Sequence, residues 1–361
     1  MGVEIDDIEL AGISALHSAE AASFRSGAGD VELSMAYADG EVKSASVDID
    51  LRDIALEGQA AFSLGGLIEF RNDVDGWLVA ASRLQFETLR GAWPEASARV
   101  EAGTDSDGKI VVLDVSASYL NLTDVEVLMP WLPTAQKDLL ASYAPDGVIR
   151  DFAATLSDVH TESPRFDITA DFLDVGFAAV DDRPGVRGFS GRLRADRSGG
   201  RLEIDSSGLT LNVPKFLGIP ATLDEASGTL IWRRSGDRTT VLSDSIVLRN
   251  ADFQVETNVE VSLVDGSKAP VVDVATTFSI SDLSVAKRYV PFIPRIPKTS
   301  EWFQNGLLAG RIPRGTARLY GPLDKWPFDN DEGRLLIEAN IQDARGLYQP
   351  RWPVAEVIDM D

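Results

Sequence analysis

Polar and apolar residues alternate one for one along much of this chain. DVELSMAY places Val31, Leu33, Met35 and Tyr37 on one side and Asp30, Glu32 and Ser34 on the other. RFDITADF repeats the pattern with Phe166, Ile168, Ala170 and Phe172. RLEID and GLTLNV continue it with Leu202, Ile204, Leu209, Leu211 and Val213. DSIVLRNADFQVETNVEVSL adds Ile246, Leu248, Phe253, Val255, Val259 and Val261, and VVDVATTFSI adds Val272, Val274, Phe278 and Ile280. A period of two marks strands with one dry face and one wet face. Between the runs sit ADGE, DSDG, RSGG, RSGD and NDEG, all turn-forming. The pattern predicts a mainly β, antiparallel meander.

Helical signals are few. TAQKDLLASYA (134–144) and KTSEWFQNGLLAG (298–310) each offer a Thr or Ser cap before a short amphipathic stretch. Each follows an apolar run broken by proline: LTDVEVLMPWLP (122–133) lies over LSVAKRYVPFIP (283–294) at an offset of 161. LLASYAPDGVIRDF then lies over LLAGRIPRGTARLY at 168, and RFDITADFLD over RLLIEANIQD one residue further on. The chain therefore reads as a long repeat, divided into 1–120, 121–288 and the start of a second unit, 289–361. The YVPFIPRIP segment falls where strands give way to a short helix. Proline there ends strand pairing, and its bulky neighbours disfavour the alternative of an exposed polyproline ligand. Both ends of the chain fall inside strand-like sequence, so the chain is expected to be a piece of a longer array.

Charge narrows the partners. With 57 acidic and 34 basic residues the formal net charge is -23, which disfavours nucleic acid and anionic bilayer surfaces. Cysteine is absent and the two histidines, His17 and His160, are far apart, which leaves no thiol chemistry and no recognisable ligand spacing. No apolar run is long enough to span a membrane, and MGVEIDD lacks the features of a signal peptide. DSDGK (105–109) and NDVDG (72–76) read as turns, because a calcium-loop register from Asp105 would put Lys109 and Ser116 at ligand positions. Nucleotide and hydrolase fingerprints are missing. The residues point to no enzyme, cofactor or metal.

One set of residues resembles a known family. Tyr289, Leu307, Leu308, Gly310, Gly315, Gly321, Pro322, Leu323, Trp326, Pro327, Phe328, Trp352 and Pro353 are similar to the signature of the YhdP family, large AsmA-like envelope proteins of Gram-negative bacteria. The resemblance covers at least 120–361, and the first 120 residues fit it loosely. It implies an elongated antiparallel sheet curled into a taco-like hydrophobic groove with a few short helices, akin to bridge-like lipid transfer proteins. It further implies an inner-membrane-anchored periplasmic protein that moves phospholipid toward the outer membrane and supports the barrier. The family's N-terminal membrane helix has no counterpart in this sequence.

Alternation alone suits a closed β-sandwich, an envelope spacer or interaction module, equally well. The resemblance favours the open groove. On that reading the acyl chains meet Leu202, Ile204, Leu209, Leu211, Ile246, Leu248, Phe253, Val255, Val274, Phe278 and Ile280. Trp131, Phe292, Trp302 and Trp326 are candidates for helix packing or for a lid. Arg311, Arg314 and Arg318 are candidates to meet headgroup phosphate at a rim, their ordinary role being a solvated strand face. The expected partners are phospholipids, with both membranes reached through other parts of the protein.

Overall fold

The computed structural model describes residues 2–11, 24–56, 58–131, 134–161, 163–181, 183–213, 219–267, 269–289, 301, 305–326, 328, 330–347 and 355–360. The Pro291 to Pro297 segment, Phe292 and Trp302 lie outside them. Two compact units divide the chain, Met1–Asp171 and Phe172–Asp361.

The first unit carries β1 (Gly2–Glu9), β2 (Phe24–Ala38), β3 (Glu41–Leu56), β4 (Phe62–Asp73), β5 (Gly76–Thr88), β6 (Gly91–Ala92), β7 (Ala96–Thr104), β8 (Ile110–Asn121) and β9 (Asp146–Ser157). Each strand pairs antiparallel with the next, save that β5 takes both β6 and β7. A 3-10 segment (Leu122–Trp131) and helix α1 (Thr134–Tyr143) join β8 to β9. Strand β10 (Arg165–Phe177) runs across the boundary.

In the second unit, β11 (Gly185–Asp196) pairs with β12 (Gly199–Ser206) and, further down, with β13 (Leu209–Asn212). Strands β14 (Ala221–Leu223) and β15 (Glu225–Ser235) pair with β13 and β12 respectively. A plain meander follows through β16 (Arg238–Arg249), β17 (Phe253–Val264), β18 (Val271–Ile280), β19 (Leu307–Pro322), β20 (Arg334–Gly346) and β21 (Ala355–Met360). Helix α2 (Leu283–Ala286) and a 3-10 turn (Lys287–Tyr289) follow β18, and another (Leu323–Lys325) follows β19. Among the described pairings neither ladder closes into a barrel, and no described helix is long and apolar enough to cross a membrane.

Register turns the alternation into rows. In the first unit Val3, Leu33, Val47, Ile68, Ala81, Ala98, Ala117 and Phe152 face one another from strand to strand. The neighbouring row runs through Met35, Ala45, Phe70, Val79, Val100, Val115 and Ala154. Tight hairpins form one rim of each ladder. At Asp39–Gly40 both residues have positive φ, 54° and 85°, the twist that a two-residue hairpin requires. The longest connections, 10–23, 122–145 and 281–306, leave from the other rim, while 323–333 joins β19 to β20 at the hairpin rim.

Toward that second rim the strands bulge. Asp7, Asp53, Arg83, Asp151, Asp174, Ser245 and Asp343 sit at φ between 35° and 53°, in the left-handed region that Asp tolerates better than most residues. Registers shift beside them, as between Ile5 and Ile8, Leu51 and Ile54, Ala81 and Leu84, and Leu242 and Ile246. A bulge bends its strand and raises the local twist, so bulges repeated on successive strands crease the sheet. At four of them a side chain on the next strand accepts the bulged residue's N–H. Asp30 Oδ1 takes Asp7 N–H at 3.1 Å, Ser63 Oγ takes Asp53 N–H at 3.4 Å, Ser190 Oγ takes Asp174 N–H at 3.0 Å and Asn258 Oδ1 takes Ser245 N–H at 3.0 Å.

Strands β10 and β20 are built alike. Strands β10 and β20 begin at 165 and 334 and end at 177 and 346, and their bulges, Asp174 and Asp343, share φ of 51° and 52°. At the exits of β8 and β18, Asn121 Oδ1 accepts Thr123 N–H and Asp282 Oδ1 accepts Ser284 N–H. In both places the helical segment leaves a strand whose ladder partner is the strand that follows it.

Buried Ser206 shows what the side-chain acceptors contribute. Its Oγ accepts Ser190 N–H at 2.8 Å and donates to Ser190 O at 2.9 Å. Ser206→Ala strands both backbone groups and should lower the unfolding free energy by about 1–3 kcal/mol, read as a lower urea midpoint at unchanged slope. Thr210→Ala, which removes only a hydroxyl contact to Thr222 at the exposed face, should cost at most about 1 kcal/mol. Equal midpoints for the two variants would contradict this.

Candidate functional site

The feature that sets this molecule apart from an ordinary β-protein is how little of its apolar face is buried. In a sandwich the inward residues are covered by a second sheet. Here Leu33, Val47, Ile68 and Val79 in the first unit, and Leu202, Leu230, Val259 and Val274 in the second, are only half-buried. The buried clusters lie on the bulged side, although Ala102, Val272 and Phe328 are also buried toward the hairpins. Leu10 and Val127 cover Ile54, Leu56 and Phe62 in the first unit. In the second, Leu209, Leu223 and Ala226 form one such cluster, and Leu283 over Ile312 forms another.

All eleven predicted lining residues lie on this one face. Direct opposition across the ladder pairs Leu248 with Val255, Val255 with Phe278, and Phe253 with Ile280. They do not share one environment. Leu209 and Ile246 are buried. Ile204, Leu211, Leu248 and Phe253 pack against the Leu209 cluster, and Phe278 and Ile280 against the Leu283 cluster. Leu202, Val255 and Val274 join neither cluster and are half-buried.

The other candidates separate clearly. Trp326 is half-buried and meets Phe328 edge-on, with ring centroids 5.5 Å apart. Phe328 is itself buried against Gly321, where an added Cβ would come within 2.9 Å of its ring. The side chain of Trp131 is outside the described set. Arg318 and Arg314 fall on the face opposite Val274 and Phe278; Arg318 is ion-paired to Asp273 at 3.1 Å and Arg314 stands opposite Asn340. Arg311 pairs with Asp343 at 3.0 Å. Asp105 Oδ1 accepts the N–H groups of Asp107 and Lys109, which is turn chemistry. Tyr289, at the head of the proline-rich segment, donates its hydroxyl to Asp252 at 2.7 Å and lies edge-on to Phe253.

Several residues of this face gave no sequence signal. GWLVAASRLQF (76–86) is almost continuously apolar, so no alternation assigns Trp77, Val79 and Ala81 to one side. Register does, pairing them with Ala102, Val100 and Ala98. In the second unit Trp232 lies over Gly200, where a Cβ would meet its ring at 2.2 Å. Asp124 was equally hidden. Its carboxylate, 1% exposed, accepts Trp93 Nε1 at 2.8 Å, Thr88 Oγ1 at 3.2 Å and Arg90 Nη1 at 3.3 Å. Arg90 also pairs with Glu126 at 2.7 Å, and that contact above all raises its pKa. These bonds hold the 3-10 segment down so that Val127 can close its end of the face.

A family model described as YhdP protein matches residues 2–361. The chain belongs to the YhdP family. It is 21% identical over 265 residues to the Escherichia coli (strain K12) protein named "Intermembrane phospholipid transporter YhdP", a match that covers 69% of this chain and 20% of that protein. The chain thus spans about a fifth of the length of this relative. No solved structure matches it. Of the motif positions that resemble the YhdP family, Gly315 and Gly321 sit beneath the rings of Phe278 and Phe328, so glycine there makes room for aromatic packing on the apolar face.

Asp124→Ala should free the 3-10 segment. Unpairing Trp93 Nε1 and Thr88 Oγ1 should cost about 1–3 kcal/mol, and limited proteolysis should cut within 122–131 faster than in the wild type. Unchanged proteolysis would show that Val127 holds the segment unaided.

Proposed function

We propose that this chain is a section of a conduit that carries phospholipid between the two membranes of the envelope, shielding the acyl chains on its apolar face. The observation that carries the reading is the set of uncharged, half-buried apolar rows crossing the ladder of each unit. Membership of the YhdP family and the printed name of the Escherichia coli relative support it.

Energetics make such a face sufficient. A tail of roughly 16 carbons loses about 0.8 kcal/mol per methylene in water, or roughly 13 kcal/mol per tail, and any dry surface of adequate length removes that cost. Shielding of this kind is indifferent to the headgroup. The acidic wet face, with its Arg–Asp and Arg–Glu pairs such as Arg83–Asp48 and Arg99–Glu101, keeps the strands hydrated and weakens adsorption to anionic membranes. The proposed location is the periplasm, with both membranes engaged by parts of the protein beyond this chain. No chemical step is assigned.

Vesicles holding phospholipid with a fluorescent acyl chain provide the test. The wild-type chain should withdraw phosphatidylethanolamine and phosphatidylglycerol about equally. Val259→Asp or Val274→Asp, which put a carboxylate into mutually opposed positions on the dry face, should reduce bound lipid about tenfold or more, equivalent to about 1.4 kcal/mol. Glu260→Gln on the wet face should leave it unchanged. Failure of the wild type to take up lipid, with the chain folded, would overturn the proposal and favour a spacer.

A further inference from the structure

The two rims of the apolar face differ in a way that fixes how a lipid would lie on it. The rim of long connections is closed. Leu10 and Val127 seal it in the first unit, and Leu223 and Leu283, each 1% exposed, seal it in the second. A phosphate there would have to enter a packed apolar cluster, and burying an uncompensated charge is prohibitive.

The hairpin rim is different, because aromatic residues stand along it on the apolar side. Trp77 is the second residue of β5, next to the Asp73–Gly76 hairpin, in register with Ala102. Trp232 occupies the corresponding end of β15, in the row of Gly200, Val241, Val261 and Val272. At the end of β19, Phe328 is buried over Gly321 and half-buried Trp326 lies edge-on to it. Tyr37, opposite Val42 beside the Asp39–Gly40 hairpin, is 69% exposed. Just beyond these rings come the charged turns, Asp39 and Glu41, Asp73 and Asp75, Asp196 and Arg197, and Asp237 and Arg238. Trp and Tyr gather where hydrocarbon meets headgroup, since their rings are apolar and their N–H or O–H seeks water.

The spacing agrees with this. Trp77 is four residues from Ala81, the last paired residue before the β5 bulge, and Trp232 is four residues from Gly228 at the β15 bulge. At about 3.3 Å per residue that is roughly 13 Å of half-buried apolar strand, close to the roughly 15 Å depth of one hydrocarbon leaflet. At the inner limit Thr257 and Thr276 oppose each other and their hydroxyls bond at 2.8 Å. This self-satisfied polar step lies between the open band and the buried clusters.

Building on the lipid-carrying reading, we infer that each phospholipid lies across the strands' open band with its glycerol at the aromatic hairpin rim, its headgroup over the hairpin turns, and its acyl ends at the bulge line. The buried clusters beyond the bulges are structural and take no lipid. Of the predicted lining residues, Leu202 and Val274 belong to the track, while Leu209, Leu248, Phe253 and Phe278 belong to the structural side.

Two photoreactive phospholipids test this on the wild-type chain, one with a diazirine near the glycerol and one at the acyl terminus, with adducts mapped by peptide mass spectrometry. The glycerol-end probe should label Trp77, Trp232 and Trp326. The terminal probe should label around Ala81, Gly228 and Thr257, a shift of roughly 13 Å along the strands. Reversed order, coincident labelling, or adducts on Leu248 and Phe253 would overturn the orientation while leaving lipid carriage intact. No adducts from either probe, on a chain from which no lipid can be extracted, would overturn both.

Discussion

A backbone N–H pushed out of a β-ladder must find another acceptor, and this chain meets that demand at one bulge after another. Asp30, Ser63, Ser190 and Asn258 each accept the displaced amide of a residue on the adjacent strand. Without such acceptors the bulges would carry unpaired donors. Without bulges the strands would run straight, and nothing would crease the sheet toward its own apolar face. The crease also places the connecting segments over that face, where Val127 and Leu283 bury themselves. Local hydrogen bonding therefore decides where the face is closed and where it stays open.

The open part is the unusual one. Most proteins cover their dry surfaces, because apolar area in water costs about 25 cal/mol per Å². Rows such as Leu202–Leu230 and Val259–Val274–Leu319 remain half-exposed. On the proposed reading, acyl chains are the complement of these apolar rows. Family membership and the architecture point the same way.

Much of the fold was legible because its signal is local. Alternation named the strands of the second half, and Asp–Gly pairs named the hairpins. The two sides of the bulge line were not legible. Leu202 and Leu209 carry the same pattern, yet Leu209 is 4% exposed and Leu202 half-buried, because Leu209 packs against Leu223 and Ala226 and Leu202 joins no such cluster. Trp77 was missed since its strand is apolar on both faces, and Asp124 since Thr88, Arg90 and Trp93 reach it from 31 to 36 residues away. Tyr289, the last described residue before the proline-rich segment, is held by its hydroxyl to Asp252 and by its ring to Phe253.

Native mass spectrometry of the chain, purified from bacterial envelope without detergent, tests the central claim most directly. The account predicts mass adducts that extract as phospholipids of more than one headgroup, because a face without charge grips tails alone. A clean polypeptide mass with a lipid-free extract, from a chain that unfolds cooperatively, would contradict it and mean that the apolar face is closed by protein.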